Sequence, residues 1–199
     1  MLFRSPHTIA ELVTLLNALP KPLTVACFVE SLSRPLAVNA TRSVLSAQPA
    51  DGARSPRTFL FFDGLTVSVV AAGDGARLLE IGERRGEALS LKAELEFPIT
   101  TQLSEGTPFE RVRYDERLST CGFCHQGETP APDIAASNAF ISPALRPPAR
   151  ERVFVSDLAT EHAACNAEAE PDRCALLDAL FRTATPIEHE FPATYKTFL

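Results

Sequence analysis

Two thiols and an imidazole stand together in Ser119-Thr120-Cys121-Gly122-Phe123-Cys124-His125-Gln126. Cysteines three positions apart can each form a thioether with one of the two vinyl groups of a haem. A histidine directly after the second cysteine then lies beneath the iron as an axial ligand. His125 is what separates this arrangement from an ordinary C-x-x-C, so covalent haem is the leading reading. Two other chemistries fit the same residues. A structural zinc would take Cys121 and Cys124 and need two more ligands, for which Cys165, Cys174 and His162 are the candidates. Alternatively Cys121 and Cys124 form a disulfide or stay free in a loop, within a non-enzymatic binding or structural domain. A thioredoxin-like role has little support, because no βαβ pattern surrounds the pair.

The pentapeptide Cys121-Gly122-Phe123-Cys124-His125 resembles the haem-attachment site of c-type cytochromes. The resemblance covers these five residues. It implies a monohaem protein in which Cys121 and Cys124 carry haem c through thioethers and His125 is the proximal ligand. It further implies attachment outside the cytoplasm, in the periplasm or its equivalent, and a role in electron transfer or small-ligand binding, with a redox protein or a small ligand as partner. The small electron-transfer members supply a downstream Met as sixth ligand, whereas the only Met here is Met1. The sixth position is therefore left to a histidine, another group or nothing. His162 is the expected distal ligand, because a helix can hold its imidazole rigidly. His189, between Glu188 and Glu190, reads as solvated, and His7 as exposed or capping. The strand-rich region before the motif is unlike those small helical proteins, so their fold is not expected.

Composition narrows the function classes. A formal net charge of -6 leaves no basic excess to displace phosphate counterions, which argues against a nucleic-acid partner. No stretch reaches the roughly 20 consecutive apolar residues of a membrane span. Glu11, Asn17 and Pro20-Lys21-Pro22 interrupt any apolar run at the N-terminus, so it does not read as a signal peptide, although haem attached outside the cytoplasm calls for export. No Ser/His/Asp ordering, phosphate-binding glycine loop or H-E-x-x-H occurs, and hydrolase chemistry has no support. Cys165 and Cys174 flank the turn Glu168-Ala169-Glu170-Pro171-Asp172 and are expected to form a disulfide in an exported chain. Cys27, in an apolar run, reads as a buried, unreactive thiol.

The positioning elements make an α+β protein: an N-terminal helix, an antiparallel sheet or sandwich, and a C-terminal section of loops and short helices containing the motif. Thr8 and Glu11 form a capping box, and Ile9, Leu12, Val13, Leu16 and Leu19 follow at helical spacing until Pro20. Residues 23–32 and 36–40 are β-compatible, and residues 41–57 read as a loop. Residues 58–62 and 65–70 flank Asp63-Gly64, which suits a type I′ hairpin. Residues 89–97 alternate apolar and polar without exception. Phe59, Phe61, Val67, Val69, Leu89, Leu91, Leu95 and Phe97 are expected on one buried face. The helix and sheet occupy residues 1–98, and residues 99–199 should pack with them as one unit. In that second section residues 127–152, rich in proline, should wrap as irregular chain, followed by helices near 156–167 and 171–182.

Overall fold

The computed structural model describes residues 4–136 and 138–198. Helix α1 (Ile9–Ala18) begins where the Thr8 hydroxyl accepts from the Glu11 N–H, and its buried Ile9, Leu12, Val13 and Leu16 form one stripe. The next segment is a second helix, α2 (Val25–Ser31), where the sequence suggests a strand. The Thr24 hydroxyl caps it by accepting from Cys27 N–H, and Val25, Phe28 and Val29 fall at i, i+3 and i+4. That helical turn leaves Cys27 exposed, correcting its expected burial.

Strands β1 (Ala37–Thr41), β2 (Arg57–Phe61), β3 (Leu65–Val70), β4 (Leu78–Arg84) and β5 (Leu89–Glu96) pair antiparallel in sequence order. At the β2–β3 hairpin only Gly64 takes a positive φ, 89°, so the turn is not type I′, which needs two such residues. After the short helix α3 (Thr107–Glu110), the proline-rich stretch is more regular than expected. It supplies β6 (Thr129–Pro130), β7 (Phe140–Pro143), β8 (Leu145–Arg146) and β9 (Arg152–Val153). Helices α4 (Val155–Ala163) and α5 (Pro171–Phe181) follow, then β10 (Ile187–Glu188) and β11 (Lys196–Thr197). The sheet order is β10-β1-β2-β3-β4-β5-β7-β6, with β9 also on β1, while β11 pairs with β8. Strands from residues 99–199 thus extend both ends of the sheet begun by residues 1–98.

Register gives the sheet two unlike faces. Leu60, Val67, Ile81 and Ala93 lie side by side across β2 to β5, all buried, and join α1, α2 and α5 in one apolar core. On the opposite face run two rows, Phe59-Ser68-Glu80-Glu94 and Phe61-Thr66-Gly82-Lys92. Phe59 and Phe61 are therefore not on the core face with Val67 and Val69; the run Thr58 to Phe62 is almost wholly apolar and conceals its parity. Leu91, Leu95 and Phe97 are buried as expected, but Leu89, at the strand's start, is 42% exposed. Cys165 and Cys174 are bonded, their Cα atoms 5.6 Å apart, joining the end of α4 to the start of α5. No helix among the described residues is long and apolar enough to cross a membrane.

Candidate functional site

The Cys/His motif forms a tight turn clamped by its neighbours. Ser119, fully buried, donates its N–H and hydroxyl to the two Glu128 oxygens, at 2.8 and 2.6 Å, and its hydroxyl accepts from Cys121 N–H at 3.1 Å. A short 3-10 turn, Thr120–Phe123, follows, and His125 N–H donates to the Cys121 carbonyl at 2.8 Å. Gly122 is closely packed: a Cβ there would run into the Leu118 side chain and stand 2.6 Å from Glu128 Oε2, so these side chains would have to shift. Cys121 and Cys124 are both unbonded.

The His125 imidazole has a defined tautomer. Its Nδ1 lies 2.7 Å from the Pro143 carbonyl on β7. A carbonyl only accepts, so Nδ1 carries the proton and Nε2 keeps its lone pair. Among the described residues nothing hydrogen-bonds Nε2. Burial, aided by the cations Lys92 and Arg57, lowers the His125 pKa to about 4, so the ring is neutral at physiological pH. Burial likewise raises the Cys121 thiol to about 11, with Glu80 adding to it and Lys92 and Ser119 opposing. Lys92 is pulled down to about 8, chiefly by desolvation.

These groups line an open cleft of about 170 Å³ on the face of the sheet turned away from the core. The floor interleaves small residues, Thr66 and Ser68 on β3, Gly82 on β4 and Ser90 on β5, with the charged Arg57, Glu80, Lys92 and Glu94. Over β2 stands an aromatic wall, where Phe191 packs edge-on against Phe59 and Phe61 at 4.9 and 5.0 Å, with Tyr195 behind it. Over β5 and β7 stand Cys121, Cys124 and His125. β2 and β7 are four strand spacings apart, roughly 19 Å at about 4.8 Å each. The rim includes residues 144–148 of the proline-rich stretch and Phe198, next to the β8–β11 pair.

Gly82 is notable because nothing in its backbone demands glycine. Its φ is not positive, and an added Cβ would meet Ser90 Cβ at 3.8 Å and Thr66 O at 4.0 Å, ordinary contacts. A mid-strand glycine with room for a side chain is compatible with a surface that a ligand approaches closely.

His162 is not part of this site. It stacks on Phe181 with ring centroids 5.2 Å apart, its Nε2 3.5 Å from Asp178, on the α4–α5 side of the molecule. The rigidity of a helix, on which its expected distal role rested, does not determine where the helix packs. His189 lies on Phe61, beside the aromatic wall, without lining the cleft, and His7 donates from Nδ1 to the Asp63 carbonyl. The zinc alternative loses its outer ligands: Cys165 and Cys174 are bonded to each other, and no group of three or more metal-ligating side chains occurs among the described residues. Sequence reasoning missed Lys92, Arg57, Gly82 and the tail aromatics as cleft residues. Alternation along β5 marks Lys92 as off the core, but the same pattern describes a residue facing water. No protein-family model, curated protein or solved structure matches this chain.

Proposed function

We propose that this protein carries one covalent haem c in the cleft and acts outside the cytoplasm in electron transfer or small-ligand binding. Cys121 and Cys124 are its attachment residues and His125 its axial ligand. One observation carries the reading. His125 donates Nδ1–H to a backbone carbonyl, keeps an unpaired Nε2 and lines an open cleft shared with two unbonded thiols. Cys121 and Cys124 would hold the haem through thioethers, each S–H adding across a vinyl group with no net oxidation or reduction. Bound there, the haem would supply a redox-active iron. The Pro143 hydrogen bond fixes the imidazole plane and raises the basicity of Nε2. Thr66, Ser68, Gly82 and Ser90 leave space above the sheet, and the packed Phe59 and Phe191 would give the group an apolar wall. The Cys165–Cys174 disulfide suits an oxidising compartment outside the cytoplasm.

The test is production in an exporting host with haem-attachment machinery, followed by absorbance of the reduced protein. His125→Gly should retain thioether-bound haem, lose the native axial signature and regain it on addition of imidazole. A His125→Gly spectrum identical to wild type would contradict the assigned ligand.

A further inference from the structure

The loop between β1 and β2 holds two aliphatic side chains out of the core. Ser43, Gln48 and Ala50 are buried, and the loop closes where Ala50 N–H donates to the Ser43 carbonyl at 3.2 Å. The Gln48 amide donates to the Gly75 and Leu78 carbonyls at 3.2 and 2.6 Å, and its oxygen accepts from the Ser68 hydroxyl at 2.7 Å. Between these anchors Val44 is 64% and Leu45 57% exposed. A loop fastened on both sides presents the pair as a fixed apolar tip, and Leu45 also lines the mouth of the cleft.

Cations surround that tip. Arg42 precedes it and donates to the Arg150 carbonyl at 3.2 Å, which brings Arg150, its side chain 77% exposed, alongside. Arg146 shares the cleft mouth with Leu45, and Lys196 stands opposite Leu145 in the β8–β11 register. Of these four, only Arg150 has a carboxylate partner among the described residues, Glu151 at 4.0 Å. The exposed Arg77, Arg84 and Arg111 elsewhere each meet a carboxylate. Although the chain carries a net charge of -6, charges beyond roughly 8 Å are screened at physiological ionic strength, so the rim sets what the tip meets. We propose that this rim docks on an anionic phospholipid bilayer. Val44 and Leu45 enter the boundary between headgroups and acyl chains, while Arg42, Arg146, Arg150 and Lys196 meet lipid phosphates. Two adjacent side chains fall far short of the ~800 Å² per partner of a specific protein interface, whereas a bilayer needs only an apolar tip within a ring of cations. The association is peripheral, turns the cleft mouth toward the membrane and does not depend on the haem reading.

The test is co-sedimentation of the full chain with vesicles of equal parts phosphatidylglycerol and phosphatidylcholine, and with phosphatidylcholine alone. The wild type should bind the mixed vesicles, leave them in about 0.5 M salt and ignore the neutral ones. A basic residue near an anionic surface strengthens partitioning about fivefold, so Arg42→Gln and Arg146→Gln should each weaken binding by about that factor. Val44→Ser together with Leu45→Ser should weaken it about tenfold or more. Arg182→Gln, at the end of α5 on the core side of the sheet, should change nothing. Arg42, Val44 and Leu45 are exposed, so their replacements leave the core intact, which an unchanged urea midpoint checks. The chain has no tryptophan, so Leu45→Trp, made without haem, supplies a single reporter whose emission should move to the blue with the mixed vesicles alone. Equal binding to both vesicle types, binding indifferent to the serine pair, or an unmoved tryptophan overturns the proposal. So does a wild type that ignores both vesicles and binds a poly-glutamate peptide through the same arginines, which would assign the rim to an acidic protein.

Discussion

Replacing Gly82 by Phe separates the fold from the cleft. Gly82 sits in the middle of β4 on the face opposite the core, between Thr66 and Lys92 in register. The new Cβ would make only ordinary contacts, at 3.8 Å to Ser90 and 4.0 Å to Thr66 O, and the ring would project into the cleft. Glycine in a strand interior costs roughly 0.5–1 kcal/mol in backbone entropy, and phenylalanine favours strands on a scale spanning about 1 kcal/mol. The chain without haem should therefore be unchanged or more stable by about 1 kcal/mol, a rise of roughly 2–4 °C in Tm for a chain of this size. The same ring occupies the floor on which a flat cofactor would lie, so haem attachment in the exporting host should collapse. Thermal unfolding of the haem-free chain, set beside haem per polypeptide, reads both effects. A Gly82→Phe chain that unfolds, or one that attaches haem at the wild-type yield, would refute the assignment of Gly82 as cleft floor.

Leu91, fully buried on the core face, should cost about 2–5 kcal/mol when cut to Ala, measured by urea unfolding; a loss below 1 kcal/mol, on the order of a surface change, would argue against that core. The Cys165–Cys174 bond spans a sequence separation of 9, and replacing both by Ser should lower stability by about 2–3 kcal/mol; an unchanged melt would mean the bond does not constrain the unfolded chain. His125, held at about 4, stays neutral in the folded haem-free chain while the unfolded chain binds a proton below about 6.5. Stability should therefore fall as pH drops from about 6.5 toward 4, by on the order of 3 kcal/mol, and be indifferent to this group above that window. His125→Gln should flatten that slope, and equal slopes in the two proteins would show that the imidazole is not buried neutral.

Local signals in the sequence identify several of these features. The Thr8 cap, the alternation from Leu89 to Phe97 and the C-x-x-C-H spacing each depend on residues close in the chain, and so does the cysteine pair across Pro171. The features that were not legible depend on distant partners. α2 resembles a strand by its Val and Phe content, yet Thr24 caps it and its apolar side packs against α5, about 150 residues on. The face carrying Ser68, Glu80 and Lys92 has the polarity of a solvent face. It becomes a cleft because the tail aromatics and the motif are laid over it from residues 121–125 and 191–198. Parity within Thr58 to Phe62 is likewise decided only by pairing with Ser68 and Thr66.

The most direct measurement is the intact mass of the denatured, exported polypeptide, followed by proteolytic mapping. The expected result is one haem added to the chain, located on the peptide containing Cys121 to His125, with both thiols resistant to alkylation and Cys27 reactive. A chain of unmodified mass whose Cys121 and Cys124 both alkylate under those conditions would contradict the covalent-haem reading.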